Sequence, residues 1–406
     1  MVKYRQWWLG IVLAISIGDA GAASFGSFDP RSMAMGGTGV ADGRAGDAAY
    51  FNPALLAAQR ASDDFSLDFP VFGITLGDPD NVRDGVDNFQ NNDNTTKFSD
   101  AITVFQTTPS QPNADAAVAA GTALLNDLEG LANKALLFDA NVGLSVAVPS
   151  EKAGVGVIVD GRALGGVLLD ITNADIQAVN DALTKIQNLD PTVTDPTQNF
   201  TSVVLGRGAI LSEVGVALAH KFNIGGRAVA LGVTPKFVRA DTFDYAPGVN
   251  DANIDLNQGR KSENSMNLDI GAAARITDSW KAGVVIKNVV PHDYTTSRNN
   301  VIKSNPQVRA GVAFEQKLYT VAVDIDLTNN DPAGLEPATQ YIAVGGEFDA
   351  WGWAQLRAGY RYNMKDNKTS AGSLGVGVSP FGVHMDLAVI ASANLLGAGF
   401  ETGFRF

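Results

Sequence analysis

The chain of 406 residues has no cysteine, three histidines, and beyond its first twenty residues no apolar run long enough for a membrane-crossing helix. Without cysteine there is no disulfide framework, no lipoprotein acylation site and no Cys-x-x-Cys redox centre. Basic stretches are lacking too: 30 Lys and Arg stand against 43 Asp and Glu, for a formal net charge of −13, so nucleic acid is not an expected partner. Charged residues make up only 18% and hydrophobic ones 45%, with a mean hydropathy of +0.03. That balance suits a protein in which lipid-facing and water-facing residues alternate and average out.

Lys3 and Arg5, the apolar run from Trp7 to Gly18 and the small residues Ala20-Gly21-Ala22 form a secretory signal pattern, so residues 1–22 are expected to be removed and the mature chain to begin near Ala23.

The second half alternates with period two. Tyr319, Val321, Val323, Ile325 and Leu327 share one parity, with Thr320, Asp324 and Asp326 on the other. Met266, Leu268, Ile270 and Ile276 oppose Asn267, Asp269 and Arg275; Leu356, Ala358, Tyr360 and Tyr362 oppose Gln355, Arg357 and Arg361; Phe381, Val383, Met385, Leu387 and Val389 oppose His384 and Asp386. One face is suited to lipid and the other to water. A soluble sandwich also alternates, and the connections decide against it. Turn residues divide the chain into about fourteen strands, near 64–75, 138–149, 153–166, 205–222, 227–243, 264–276, 279–289, 305–315, 318–327, 338–348, 352–363, 369–379, 381–390 and 398–406. Tight turns alternate with longer polar loops, as in outer-membrane barrels with short periplasmic turns and long extracellular loops. Trp351, Trp353, Tyr360 and Tyr362 are candidates for interfacial girdles.

In the last strand Ala398, Phe400, Thr402, Phe404 and Phe406 share a face. That carboxy-terminal aromatic pattern resembles the signal read by the barrel-assembly machinery of Gram-negative bacteria. Two early loops carry helical spacing: Leu124, Leu128 and Leu131 within 113–135, and Ile176, Val179, Leu183 and Ile186 within 172–189, where Thr172 and Asp175 are placed as a capping box. They are expected to cap the barrel mouth; the alternative is an apolar groove for a hydrophobic ligand.

Near the amino terminus, the stretch from Phe28 to Ala41 holds Gly36, Gly37 and Gly39, and Asp47 to Ala54 ends in Asn52-Pro53-Ala54. Glycines permit close backbone approach, and Asn before Pro favours a turn. A phosphate-binding loop is excluded, because no Gly-Lys-Ser/Thr follows Gly39 and no strand precedes it. The stretch resembles the hatch segment of the FadL, or OmpP1, superfamily of hydrophobic-compound transporters. Ser212–Ala219, Gly232–Phe237, Lys287–Tyr294, Gln307–Val312 and Ser379–His384 resemble one branch of it, the barrel-type conjugal transfer protein TraF. The resemblance implies a hatch over 23–60 with Asn52, Pro53 and Ala54 as its turn, a barrel over 61–406, and either passive passage of small hydrophobic compounds or a role in conjugal transfer or envelope assembly through protein contacts. In the transporters the groove-forming loops lie later in the barrel, whereas here the helical insertions follow the first and third strands.

The expected class is therefore an all-β, transmembrane antiparallel β-barrel with an N-terminal hatch in its lumen and helical extracellular loops, in the outer membrane of a Gram-negative bacterium. Expected partners are outer-membrane lipid and lipopolysaccharide, the assembly machinery, and either a small hydrophobic ligand or conjugation proteins. Gly36, Gly37 and Gly39 with Asn52, Pro53 and Ala54 are the expected gating residues, and Phe400, Phe404 and Phe406 the assembly signal. Asp269, Arg275, Lys281, Lys287, Arg309, Asp324, Asp326, Arg357, Arg361, His384 and Asp386 are expected to line the lumen as an ion-pair network that holds the hatch. The small inward residues Gly143, Ala147, Gly154, Gly156, Gly375 and Gly377 are expected to leave room there. His384 and Asp386 invite comparison with outer-membrane hydrolases, but no serine stands between them and no third member can be named. Asp78–Gly85 lacks the closing Glu of a calcium loop and reads as a solvated surface loop. No catalytic residue, cofactor or metal is expected.

Overall fold

The computed structural model describes residue 26 and residues 29–59, 64–248, 259–330 and 334–406; the expected signal segment 1–22 and Phe28 lie outside the described residues. The first elements of the described residues are two short helices, α1 (Pro30–Ala34) and α2 (Ala45–Phe51), and a 3-10 turn, Pro53–Ala57. The strands that follow are β1 (Ser66–Gly77), β2 (Ala135–Val148), β3 (Gly154–Asp170), β4 (Val203–Ile224), β5 (Arg227–Tyr245), β6 (Arg260–Arg275), β7 (Trp280–Lys287), β8 (His292–Thr295) and β9 (Val301–Ser304). After them come β10 (Gln307–Glu315), β11 (Tyr319–Asp326), β12 (Tyr341–Ala350), β13 (Ala354–Asn363), β14 (Ala371–Val378), β15 (Val383–Ala391) and β16 (Leu395–Arg405). Fourteen of them close one antiparallel barrel, and β8 and β9 form a separate hairpin. Closure is made by β1 against β16, Ser66 facing Arg405.

The alternation of the sequence becomes the two faces of the wall. Val321, Val323 and Ile325 are 36–44% exposed while Asp324 and Asp326 are 1% and 2% exposed. The same split runs round the barrel, leaving an outer apolar belt far larger than the patches a water-soluble monomer exposes, so this is the lipid-facing surface of a transmembrane barrel. At the end of the short turns, Trp351 stacks on Trp353 at 6.0 Å, and Trp280 packs on Phe314 at 5.0 Å. Tyr360 and Tyr362 are exposed toward the opposite end of β13. Phe400, Phe404 and Phe406 share the outward face of the last strand segment.

Turn chemistry explains the hairpins. Gly225 and Gly226 both have positive φ, +59° and +80°, the handedness that a two-residue connection between right-twisted strands requires. In β5, Pro235 has no N–H to give, and pairing with β4 lapses between the Gly215–Lys236 and Leu218–Val233 pairs. The sequence spacing predicts a long connection before the last strand, but 392–394 is a three-residue turn and β16 starts at Leu395.

The loops between β1 and β2 hold three helices, α3 (Val82–Asn92), α4 (Asn94–Thr107) and α5 (Gln111–Leu131), and that between β3 and β4 holds α6 (Asn173–Gln187). Phe98, Ile102, Phe105, Leu124, Leu128, Val179, Leu183 and Ile186 pack into one core, so the two helical insertions form one bundle whose apolar positions are consumed by helix packing rather than lining a groove. The capping box at Thr172 is half formed: Thr172 Oγ accepts the Asp175 N–H at 3.2 Å, but the Asp175 carboxylate accepts from Thr201 and Ser202. The stretch from Asp78 is not all surface loop, because Asp78 accepts the Val82 N–H at 2.6 Å and the Arg83 N–H at 3.1 Å and so starts α3. The β8–β9 hairpin folds inward: Tyr294 and Ile302 are buried against Leu164, Ala209, Val238 and Ala240.

Candidate functional site

The first helices of the chain fill the lumen. Asp29 caps α1 by accepting the Ser32 N–H at 2.8 Å, and Pro30 supplies a preset φ at the first helical position. The helix ends at Gly36 and Gly37, both of positive φ. A Cβ on Gly36 would lie 2.7 Å from the Tyr360 carbonyl oxygen, so glycine is required there both by conformation and by contact with the wall. From α1 against β13–β16, the segment passes Gly39 and Val40, whose N–H groups donate to Asp324 at 2.9 and 3.1 Å. It then returns through α2 against β1–β3 and ends in the 3-10 turn against β3–β6.

Asn52 fastens this hatch at its centre. Its Oδ1 accepts the Ala54 N–H at 3.1 Å, starting the 3-10 turn at Pro53, and its Nδ2 donates to Val40 O at 2.9 Å and to Ala272 O of the wall at 3.1 Å. The expected hatch turn is therefore a clasp between two parts of the hatch and β6.

Charged side chains of the wall hold the remainder. Glu347 accepts from Arg31 at 3.0 Å, Arg44 at 3.0 Å and Arg357 at 2.7 Å, joining two hatch guanidiniums to one of the wall. Arg31 also pairs with Asp42 at 3.0 Å, and Arg357 with Asp386. Arg309 binds Asp326 at 2.6 Å and donates to Gly37 O at 3.1 Å. Lys287 donates to Tyr50 O at 2.6 Å and lies 3.9 Å from Asp269, which also pairs with Lys236 at 3.2 Å.

Of the expected lumen charges, Asp269, Lys287, Arg309, Asp324, Asp326, Arg357, His384 and Asp386 are buried in the interior. Arg275 and Lys281 instead stand at the turn-end rim, paired with Glu315 at 3.8 and 2.6 Å. Arg361 lies over the Tyr341 ring at 5.1 Å. His384 does not pair with Asp386: its Nε2 meets Asp68 at 2.9 Å and Glu401 at 3.2 Å, where a triad would place a nucleophile. Alternation missed Glu347, Asp68, Glu401 and Lys236, and the hatch partners Arg31, Asp42 and Arg44. For Glu347 the signal is present in Tyr341, Ala343, Gly345 and Glu347 on one parity against Ile342, Val344 and Phe348.

The small inward residues do not leave the expected room, because the hatch occupies it. A Cβ on Gly143 would lie 2.5 Å from the Tyr50 hydroxyl, on Gly154 2.7 Å from Leu56 O, on Gly156 3.3 Å from the Leu56 side chain, and on Gly375 2.4 Å from the Ala34 Cβ. Ala147 is buried in the same cluster as Tyr50 and Leu56, and Gly377 gives space to the Arg357–Asp386 pair. These positions are small because the hatch sits on them. Above the hatch a cavity of about 40 Å³ is lined by polar groups including Asp160, Glu213, Lys236 and Lys287. Below it a vestibule of about 430 Å³ is walled by Leu55, Ala58, Ala230, Ala273 and Ala282, with Glu151, Lys221, Arg275 and Lys281 also lining it.

A closed fourteen-stranded antiparallel barrel with a helical amino-terminal hatch is the architecture of the FadL-like transmembrane barrels. Similar solved structures are the deltaS2 mutant of the TodX monoaromatic hydrocarbon channel (TM-score 0.54, 11% identity, 94% of this chain and 99% of that one), the CymD monoaromatic hydrocarbon channel (0.52, 11%, 95% and 99%) and the toluene transporter TodX of P. putida (0.51, 11%, 93% and 98%). At that identity the likeness is one of fold. No curated protein matches the chain in sequence. Within this class the chain belongs to the family described as F plasmid transfer operon, TraF, protein, whose model matches residues 49–326.

Proposed function

We propose that the protein is an outer-membrane channel of a Gram-negative envelope that passes small hydrophobic compounds passively, with the hatch as a movable plug and the turn end facing the periplasm. The observation that carries this reading is how the hatch is attached. Its described residues do not join the sheet as a strand; they are fixed by side-chain hydrogen bonds and ion pairs, by apolar packing on the wall and by the bond from Ser150 N to Leu56 O, so no strand ladder has to break for the hatch to shift. The alanine-walled vestibule beneath it has about 430 Å³, against the ~150 Å³ that suffices to hold benzene.

The absence of cysteine makes a clean test. The Cβ that Gly156 would carry lies 3.4 Å from that of Ala49, close to disulfide geometry. In a deletion strain complemented with Ala49→Cys/Gly156→Cys, uptake of a panel of monoaromatic compounds is expected to stop on oxidation and resume on reduction. Entry that is equal in the deletion strain, the oxidised variant and the parent would overturn transport.

The family match favours a second reading, in which the helical cap contacts proteins of a conjugation or envelope-assembly apparatus. Normal mating by a deletion strain, together with crosslinking from the cap that captures no transfer protein, would remove it.

A further inference from the structure

The seam where β1 meets β16 holds a group that neither reading uses. Asp68 of β1, His384 of β15 and Glu401 of β16 are 0–2% exposed and converge inside the wall. His384 Nε2 is 2.9 Å from Asp68 Oδ1 and 3.2 Å from Glu401 Oε1. An imidazole Nε2 carries one proton and serves one of these oxygens well. Those separations are also the ligand–ligand edges expected around a divalent ion bound at ~2.1 Å, which come to about 3.0 Å in an octahedron and about 3.4 Å in a tetrahedron.

Glu401 continues the cluster into the hatch. One oxygen each of Asp29, Asp47 and Glu401 lies within 4.8 Å of the others, and all three residues are buried. Two oxygens in this set, Asp29 Oδ2 and Glu401 Oε2, have no hydrogen-bond partner among the described residues, although both residues are more than nine-tenths buried. Arg405 stands beside Asp47 and Glu401, while Arg31 and Arg44 are already engaged by Glu347. Asp68 accepts from the Ser66 and Ser145 hydroxyls, and four buried carboxylates with so little positive charge are costly unless a cation joins them or they hold protons. The backbone makes space for this convergence. A Cβ on Gly403 would lie 2.7 Å from the His384 ring, and one on Gly46 would overlap the Asp68 carboxylate.

We infer that Asp68, His384 and Glu401 bind one divalent cation of the zinc or manganese type, and that the hatch carboxylates Asp29 and Asp47 strengthen it as neighbouring negative charges. The ion ties β1, β15 and β16 together at the seam and attracts the hatch carboxylates to it. One imidazole with two carboxylates is a borderline donor set, better suited to Zn²⁺ or Mn²⁺ than to Ca²⁺, which takes oxygens alone. The inference stands whether or not the barrel carries hydrocarbons.

The test uses the full-length barrel in detergent, stripped with chelator, equilibrated separately with micromolar Zn²⁺, Mn²⁺ or Ca²⁺, desalted and analysed for metal. About one Zn²⁺ or Mn²⁺ per chain is expected to be retained, and Ca²⁺ far less. His384→Gln is expected to abolish retention. Asp47→Asn lies in the hatch, outside the strands that must fold, and is expected to weaken affinity about tenfold, as loss of a supporting group does. Folding of each variant is checked by its heat-dependent migration in gels. Retention well below one ion per chain in the parent, or equal retention in folded His384→Gln and Asp47→Asn, would overturn the site and leave a proton-shared carboxylate cluster in its place.

Discussion

Asn52 is fully buried and makes three hydrogen bonds from one side chain, two of them within the hatch and one to the wall. Truncating it to alanine leaves Ala54 N–H, Val40 O and Ala272 O without that partner in a site water does not reach. Each unmet buried group costs about 1–3 kcal/mol, so Asn52→Ala is expected to destabilise the seated hatch by about 3 kcal/mol. With a reporter thiol at the buried position of Ala49→Cys, maleimide labelling is expected to accelerate about a hundredfold, at about 1.4 kcal/mol per decade; an unchanged rate would show that Asn52 does not hold the hatch. Asn52 was legible in sequence because a motif carries it. Asp68 was not: a bulge between Asp68 and Val71 flips the parity of β1, so unbroken alternation would set Asp68 outward with Phe72, whereas it lies fully buried. Arg31 and Arg44 were illegible for another reason, since a short irregular segment inside a lumen has no periodicity from which to read a direction.

At the scale of elements, turn residues together with the period-two patterning of the second half located all fourteen barrel strands, because in a membrane one face of every strand must be apolar and short turns must join them. It could not show β8 and β9. That hairpin packs Tyr294 and Ile302 into the mouth of the barrel, and so needs only a few apolar residues rather than a belt. In the cap, spacing found α5 and α6 but not α3 and α4. The cap is also where pH should act. Burial raises the affinity of Asp175 for protons, but hydrogen bonds from the Ser202 hydroxyl, the Thr201 and Ser202 N–H groups and the Thr201 hydroxyl outweigh it and hold the carboxyl below its ordinary value. Asp195 is also held low, burial being outweighed by the Ser99 hydroxyl and by Thr197. A carboxyl depressed in the folded state contributes stability that is complete above its unfolded pKa of about 3.9 and is lost as pH falls through the lower folded value. Hydrogen-exchange protection of α4, α6 and residues 197–202 is therefore expected to be flat from neutral pH to about pH 5 and to fall below pH 4. Asp175→Ala should lower the plateau around α6 and flatten that fall; a parent profile that stays level to pH 2 would refute the assignment.

For the whole molecule, the question is whether the hatch or the barrel yields first. The barrel is continuous through fourteen backbone ladders, including the β1–β16 closure, whereas the hatch is held by apolar packing on the wall and by side-chain bonds at a few points. Glu347 is the densest of these, since Arg31 and Arg44 come from the hatch and Arg357 from the wall. Replacing it with glutamine keeps its size and removes the charge. Arg31 then retains Asp42, Arg357 retains Asp386, and Arg44 keeps only a 4.0 Å approach to Asp386. Breaking a buried ion pair by removing one partner costs about 3–5 kcal/mol, and here that loss falls on the contact between hatch and wall rather than on any strand ladder. Glu347→Gln is thus expected to keep the heat-dependent gel migration of a closed barrel and, in planar bilayers, to show intermittent ion-conducting openings where the parent stays shut. Lys221→Gln, which breaks the turn-rim pair with Glu151 and leaves the Glu347 cluster intact, is expected to behave like the parent. If Glu347→Gln is as silent as the parent, the cluster is not the clamp; if it fails to form a barrel at all, the hatch is a structural core of the cylinder and displacement of it cannot be how anything passes.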